Sequence, residues 1–342
     1  MAAPRPVRVL EGLDPTTLPF AELLAAGEPA ILRGVVLDWP MVAAGAESPA
    51  KAVAYLKSFD SGRPVTGSTA PPEADGRYFY EAGLTRLNFV PGRVRLDEYL
   101  DRILAHLDDP APPSFYVGST DLDAYLPGFR AANDLALDDP MFDPERVLAS
   151  IWIGNRTIAS THYDMTNNIA CCLAGRRRFT LFPPDQIGNL YPGPLEPTPG
   201  GQVVSLVDLR APDLERYPRF AEALAVAQAA ELMPGDALFY PAMWWHNVEA
   251  LAPLNVMVNY WWNDAPAFLD TPGDTLLHAL LSLRDRSASE RAAWRAVFDH
   301  YVFGDVEQAR AHLPDAARGP LAPLDETGAR RLRAYLLRRL NR

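Results

Sequence analysis

The feature that most constrains the fold of this chain is a long stretch, residues 114–264, in which apolar and polar residues alternate with a period of two. The alternation recurs in short runs: SFYVG, SIWIG, RRFTLFPP, QVVSLVDL, GDALFYP and LNVMVNYWW. Each run has the length of one strand. Proline is frequent, 33 residues in 342, and is spread through the chain in short pairs, which suits many strands joined by turns. The pattern predicts a β-sandwich or barrel core.

Helical patterns flank this core. Before it, AILRGVVLDWP predicts a strand that ends at Pro40, and LDEYLDRILAHL predicts a helix with one apolar face. Within it, FAEALAVAQAA predicts one helical interruption. After Pro272, three segments with Ser or Asp at their starts predict capped helices. We therefore divide the chain into an N-terminal α/β segment packing on the core (1–113), the core (114–270) and a C-terminal helical region (271–342).

Composition and charge exclude several classes of protein. No apolar run approaches the eighteen or so residues of a membrane span, and the first residues lack the apolar core of a signal peptide, so we expect a cytoplasmic protein without a membrane partner. The two cysteines, Cys171 and Cys172, are neighbours and cannot form a disulfide framework. A net charge of −11 works against nucleic-acid binding.

Histidine is scarce, and two of the six histidines stand in an H-x-D arrangement. On the predicted helix, His106 and Asp108 lie about 200° apart around the axis and cannot converge on one ion. On a strand, His162 and Asp164 share a face. His246, which follows the apolar run LFYPAMWW, is the candidate third ligand. Two histidines and a carboxylate form the facial triad of non-haem Fe(II) oxygenases; the alternative is that His162 and His246 are packed core residues. The remaining histidines lie in the helical region and are interpreted as surface or packing residues: His278, His300 and His312.

Several separated motifs, in the same order, resemble the JmjC-type, cupin-like oxygenases. They are HYDMTNNIACCLAGRRRFTLFPPDQIGNLYPGPLEP, VDLRAPDLERYPRF, MPGDALFYPAMWWHNVEAL and VNYWW. The resemblance is strongest to the asparaginyl hydroxylase group that acts on hypoxia-inducible factor, and covers about residues 114–264. It implies a mainly β protein with helical additions, built on a double-stranded β-helix (jelly-roll) core, that uses Fe(II), 2-oxoglutarate and O2.

Site residues carry over from the resemblance by position. His162, Asp164 and His246 would hold the iron. The positions that contact 2-oxoglutarate in the family are Tyr116, Asn168, Arg177, Asn259 and Trp261.

Two positions depart from the family. Arg177 stands where the family has lysine, and its guanidinium suits a carboxylate. Ala159 stands where the family has threonine, which leaves Ser160 and Thr161 as candidate sources of the hydroxyl.

The resemblance implies a dioxygenase that hydroxylates a C–H bond of a protein side chain or small molecule, with succinate and CO2 as coproducts. Two other classes stay open: a non-catalytic cupin-like binding module, and a cupin metalloenzyme that does not use 2-oxoglutarate and has no need of Arg177, Asn168 and Asn259. The C-terminal helices resemble in placement the dimerising helices of the asparaginyl hydroxylase group, which implies a homodimer through about residues 275–342.

Overall fold

The computed structural model describes residues 3–137, 142 and 146–341. These residues form one compact unit up to Asn263 and a second from Asp264. The predicted boundaries at residues 113 and 270 stay predictions. Within the described chain, no helix combines the length and apolar content needed to span a membrane.

The described residues of the first unit contain fifteen strands, which are β1 (Arg5–Pro6), β2 (Arg8–Leu10), β3 (Ala30–Leu32), β4 (Val65–Ala70), β5 (Arg77–Tyr78), β6 (Val90–Val94), β7 (Ser114–Asp121), β8 (Leu148–Gly154), β9 (Ile158–Tyr163), β10 (Asn167–Ala174), β11 (Arg177–Phe182), β12 (Gln228–Leu232), β13 (Ala237–Tyr240), β14 (Trp245–Ala250) and β15 (Asn255–Trp262). Its helices are α1 (Phe20–Ala26), α2 (Pro40–Glu47), α3 (Pro49–Lys57), α4 (Leu96–Ala105), α5 (Leu122–Tyr125) and α6 (Phe220–Val226).

The strands form two sheets. The smaller has the order β1-β12-β11-β14-β9-β5 and the larger the order β2-β3-β13-β10-β15-β8-β7-β4-β6. Most neighbouring strands are antiparallel, and the chain crosses from one sheet to the other between β10 and β11. This is the double-stranded β-helix that the period-two pattern and the resemblance predict.

Alternation along β15 shows how the larger sheet separates two environments. Val256, Val258 and Tyr260 are fully buried in a core that contains residues of α2, α3 and α4. Met257 and Asn259 point the other way, into a cavity between the sheets. Since successive side chains of a strand face opposite sides, one strand contributes to both the structural core and the cavity wall.

Two predicted strands are corrected by the structure. In AILRGVVLDWP the strand is only Ala30–Leu32; Gly34 has a positive φ of 70° that breaks it, and Pro40 begins α2 instead of ending a strand. QVVSLVDL forms only isolated bridges, at Val204 and Ser205, because it lies beside the sheets without a continuous partner strand. An alternating apolar pattern is sufficient for an extended chain but not for strand pairing.

Other local predictions are confirmed. LDEYLDRILAHL forms α4, with Leu96, Tyr99, Leu100 and Ile103 buried on one face. FAEALAVAQAA begins with α6 and continues into β12.

The second unit is helical, as predicted. Its helices among the described residues are α7 (Pro272–Ser282), α8 (Ala288–Phe298), α9 (Val306–Arg310) and α10 (Glu326–Leu340), with a π-helical turn at Asp299–Phe303. Ser287 caps α8 in a capping box with Glu290, and Asp325 caps α10.

Candidate active site

Three potential metal ligands converge where two strands of the smaller sheet meet. His162 lies near the end of β9, Asp164 follows that strand, and His246 lies on β14 directly opposite His162. The two imidazole rings are 4.3 Å apart between centroids, and His246 Nε2 lies 3.5 Å from Asp164 Oδ2. One ligand atom from each residue lies within 4.8 Å of the others. The predicted triad is therefore brought together by strand pairing.

Backbone contacts fix the tautomer of both histidines. His162 Nδ1 lies 2.8 Å from the Ser160 carbonyl, and His246 Nδ1 lies 3.0 Å from the Trp244 carbonyl. A carbonyl oxygen only accepts, so each Nδ1 carries the proton and each Nε2 presents a lone pair. Two imidazole Nε2 atoms and one carboxylate are a donor set suited to Fe(II).

Electrostatics keep His246 neutral. Burial, together with the adjacent His162, lowers the pKa of His246 to about 4, although Asp164 acts in the opposite direction. A metal therefore meets a free imidazole at neutral pH, with no bound proton to displace.

A cavity of about 540 Å³ opens beside the triad. Tyr116, Arg177, Asn259 and Trp261 line it together with the three ligands. Asn168, which is fully buried, contacts both Asn259 and Asp164. Seven of the eight residues singled out from the sequence thus line one cavity, and Asn168 lies directly behind it, whereas their individual roles stay predictions.

Arg177 is the most informative group in this cavity. Its side chain is only 2% exposed, and its Nε and Nη2 have no hydrogen-bond partner among the described residues. Burial lowers its pKa, yet a guanidinium stays charged in proteins. Its neighbours Arg176 and Arg178 face outward, where both pair with Glu231. A buried cation with unused donors fits a carboxylate ligand such as that of 2-oxoglutarate.

Tyr116 supplies a second donor. It lines the cavity, whereas its neighbour Phe115 is buried in the opposite core, which resolves the register of this strand. Burial raises the pKa of Tyr116, so the phenol keeps its proton and can donate it to a carboxylate.

Of the two candidate sources of the missing threonine hydroxyl, Ser160 lines the cavity and Thr161 does not, and a role for either stays a prediction. Ala159 and Ser160 both line the cavity. The Ser160 hydroxyl already donates to the Tyr78 carbonyl at 3.0 Å. Thr161 is buried, does not line the cavity, and its hydroxyl has no partner among the described residues.

Among the described residues, the other histidines are not part of the cluster of potential metal ligands. His106 caps the end of α4, and its Nδ1 contacts Asp109 rather than Asp108. The three C-terminal histidines are all exposed and belong to the second unit, namely His278, His300 and His312.

The sequence interpretation missed four aromatic residues of the cavity wall: Tyr78, Phe89, Trp152 and Tyr240. Trp152 lies in the run SIWIG, where its alternation with buried isoleucines was the available signal. Which face of that strand meets the cavity depends on pairing with β15, and the local pattern does not contain this information.

The fold and the donor set define a double-stranded β-helix protein with a candidate His-Asp-His metal centre. The profile of the cupin-like domain family matches residues 15–268. The chain therefore belongs to the cupin-like domain family.

Three curated relatives share segments with this chain. A lysine-specific demethylase, JMJ31 of Arabidopsis thaliana, is 36% identical over 129 residues, covering 37% of this chain and 23% of the relative. The tRNA wybutosine-synthesizing protein 5 of Danio rerio is 29% identical over 200 residues, covering 53% and 56%. The Jumonji C domain-containing protein 5 of Drosophila melanogaster is 26% identical over 244 residues, covering 69% and 55%.

The chain thus spans about a quarter of the first relative's length and just over half of the other two. Together these relatives support the wider JmjC-type cupin group. They do not single out the asparaginyl hydroxylases that the motifs most resemble.

Proposed function

We propose that this protein is an Fe(II)- and 2-oxoglutarate-dependent dioxygenase that hydroxylates a C–H bond. The observation that carries the proposal is the placement of a buried guanidinium with unused donors, Arg177, in the same cavity as the His162, Asp164 and His246 triad. A metal site alone needs only the triad. A metal site that also binds a dicarboxylate needs a buried cation nearby.

Each residue has a separate task in this proposal. His162, Asp164 and His246 would hold Fe(II), with both imidazoles oriented by backbone carbonyls. Arg177 and Tyr116 would bind the distal carboxylate of 2-oxoglutarate. When bound, iron and 2-oxoglutarate supply the oxidising power: O2 and 2-oxoglutarate are consumed, the substrate C–H becomes C–OH, and succinate and CO2 are released.

The first experiment measures succinate release by the purified protein with Fe(II), 2-oxoglutarate and O2, without added substrate. We expect metal-dependent succinate from the wild type and none from Asp164→Ala. The exposed Asp185 provides a matched control, since Asp185→Ala removes a carboxylate away from the metal site and should keep the activity. Absence of succinate together with absence of 2-oxoglutarate binding would favour the non-catalytic binding module.

The proposal also concerns the class of substrate that the protein hydroxylates. The resemblance to asparaginyl hydroxylases favours a protein side chain, and a small molecule is the other candidate. One relative bears the name of a lysine-specific demethylase. Hydroxylation of an N-methyl group yields formaldehyde, whereas hydroxylation of a carbon side chain does not, so formaldehyde measured with a candidate substrate separates the two outcomes.

We further propose that the chain forms a homodimer through residues 275–342. The second unit leaves most of its large apolar side chains exposed, and among its described residues only Ala309, Arg310 and Ala329 are buried. A surface of this kind is typical of a protein interface. The predictions that the protein acts without nucleic acid and in the cytoplasm stay predictions.

A further inference from the structure

A directed series of hydrogen bonds runs through the wall of the cavity to the metal site. Trp152 on β8 donates its indole N–H to Asn259 Oδ1 on β15. Asn259 Nδ2 donates to Asn168 Oδ1 on β10 at 3.2 Å, and Asn168 Nδ2 donates to Asp164 Oδ2 at 3.3 Å. These three strands are neighbours in the larger sheet, so the series crosses the sheet and ends at a metal ligand.

The two ends of the series set its direction, because the Trp152 indole N–H only donates and the Asp164 carboxylate only accepts. An indole N–H only donates, whereas an asparagine amide donates at one end and accepts at the other. Because Trp152 donates, Asn259 must present its oxygen to the indole and its NH2 to Asn168. Asn168 must then present its own NH2 to Asp164. With the Trp152 N–H removed, Asn259 Oδ1 loses its donor, and the series is then held only at its Asp164 end.

Burial makes the order of the amides energetically important. Asn168 is fully buried and does not line the cavity, so water is not available to replace a partner that it loses. Leaving a buried amide group unpaired costs about 1–3 kcal/mol. The cost falls on the residues that contact Asp164, and the carboxylate is thereby held in one orientation.

Packing holds the indole itself in place. The ring of Trp152 contacts Tyr116 and Trp261, with centroid distances of 5.9 Å and 5.7 Å. Gly118 lies over the ring, and a Cβ at this position would come within 3.0 Å of Trp152 Cζ3. The absence of a side chain at Gly118 therefore leaves room for the indole of Trp152.

We propose that Trp152 is a positioning residue, whose N–H orders Asn259 and Asn168 so that Asp164 is presented to the metal in a single orientation. This inference rests on the proposed metal-dependent function. It assigns to Trp152 an effect on metal binding that is exerted through two intervening side chains.

The test uses Co(II) as the probe, because its visible absorption reports both affinity and ligand geometry. Trp152→Phe keeps an aromatic ring and removes the N–H, and Asn168→Ala removes the direct contact to Asp164. Loss of groups that orient metal ligands typically weakens binding about 10–100-fold, so we expect this range for Asn168→Ala and about 3–10-fold for Trp152→Phe. Trp152→Phe should also change the shape of the Co(II) spectrum.

The matched control is Trp262→Phe. Trp262 is also buried, and its Nε1 has no partner within the described structure. This substitution removes an indole N–H that orders nothing at the metal site, and we expect Co(II) affinity within about twofold of the wild type and an unchanged spectrum.

A double-mutant cycle separates positioning from general loosening. If the effect travels through Asn168, adding Trp152→Phe to Asn168→Ala should change Co(II) affinity no further. Additive losses would overturn the proposal. If Trp152→Phe fails to fold, Asn259→Leu interrupts the same series at its middle residue and provides the second variant for the cycle.

The two proposals fail in different ways. Wild-type affinity and spectrum in Trp152→Phe would overturn the positioning role while leaving the metal site intact. A wild-type protein that does not bind Co(II) would overturn both the positioning role and the proposed function.

Discussion

At the scale of single residues, the cavity holds one buried cation that the fold alone does not need. The described part of the chain gives Arg177 Nε and Nη2 no partner, and removing such a group from water is unfavourable. A protein retains a group of this kind when a ligand supplies the missing anion. Substitution of Arg177 therefore distinguishes best between the proposed dioxygenase and a cupin metalloenzyme that does not use 2-oxoglutarate.

Substitution of Arg177 should therefore weaken 2-oxoglutarate binding. Hydrogen bonds to charged groups contribute about 1.5–3 kcal/mol, so Arg177→Met should raise the dissociation constant for 2-oxoglutarate by roughly 10–150-fold. Arg177→Lys keeps the positive charge but loses the bidentate geometry of the guanidinium. We therefore expect a smaller loss of 2-oxoglutarate affinity, about tenfold. Calorimetry with Mn(II) in place of Fe(II) measures the dissociation constant of each variant for 2-oxoglutarate.

Arg176→Met is the control for this pair, because Arg176 is half exposed and faces away from the cavity. The ligand-free Arg177→Met protein should be at least as stable as the wild type, because the substitution removes a buried cation that has no anionic partner. Unchanged 2-oxoglutarate affinity in Arg177→Met would favour a metalloenzyme that does not use this cosubstrate.

His246 provides a prediction on pH. Its pKa is lowered from 6.5 to about 4 in the folded protein, so between these values the unfolded chain binds a proton that the folded chain resists. The free energy of unfolding of the metal-free protein should therefore decrease as the pH falls from about 6.5 to 4. The slope from this group is at most about 1.4 kcal/mol per pH unit.

Urea unfolding at several pH values in the presence of a chelator measures this slope. His246→Gln serves as the reference, because every other titrating group is kept and cancels in the comparison. Equal slopes for the two proteins would show that His246 is not held neutral by the fold.

At the scale of secondary-structure elements, Gly175 connects the two sheets just before Arg177. Its φ of +72° is unfavourable for residues with a side chain. A Cβ there would also lie 2.5 Å from the Leu254 carbonyl oxygen and against Asn255. The transition from β10 to β11, which directs Arg177 inward, thus depends on a glycine.

Gly175→Ala should accordingly destabilise the protein by about 2–4 kcal/mol, the sum of backbone strain and steric overlap. The urea midpoint measures this loss. Gly188→Ala is the matched control, since a Cβ at Gly188 would meet no heavy atom of the described chain within 4 Å and the residue does not have a positive φ; we expect a change within about 0.5 kcal/mol. Similar midpoints for the two variants would contradict the role of Gly175.

Element prediction succeeded where the deciding interactions are local. The apolar face of α4 and the caps of α8 and α10 depend on residues three or four positions apart, and these were predicted. QVVSLVDL has a strand-like pattern, but its extension into a sheet required a partner strand from elsewhere in the chain. Strand identity therefore depended on pairing that local sequence does not encode.

At the scale of the whole molecule, the exposed apolar side chains of the second unit indicate self-association. Leu281 is 79% exposed and Phe303 is 76% exposed, values unusual for large apolar side chains. We expect light scattering to give twice the chain mass for the wild type at micromolar concentration. Leu281→Arg/Phe303→Arg places two charges in the apolar surface and should give the mass of a single chain.

Val90→Arg is the matched control for the dimer. Val90 is a similarly exposed apolar residue on β6, outside the second unit, and its replacement should leave the mass unchanged. A monomer mass for the wild type would contradict the proposed homodimer.

Local sequence was sufficient for the class of core and for placing two of the candidate metal ligands, His162 and Asp164, on one face. Period-two alternation is a property of each strand alone, and on a strand the H-x-D spacing puts His162 and Asp164 on one face. The resemblance added the other candidate site residues by position. These features depend on residues that are close together in the sequence, so they were predicted without knowledge of how the strands pair.

Pairing between distant segments produced the remaining features of the site. His246 meets His162 because β14 pairs with β9 in one register, and a shift of one residue would turn either side chain to the opposite face. The isolation of the Arg177 guanidinium and the contact of Trp152 with Asn259 likewise arise from neighbours far away in sequence. Burial and hydrogen-bond partners depend on every element that surrounds a side chain, and for that reason they emerged only from the folded protein.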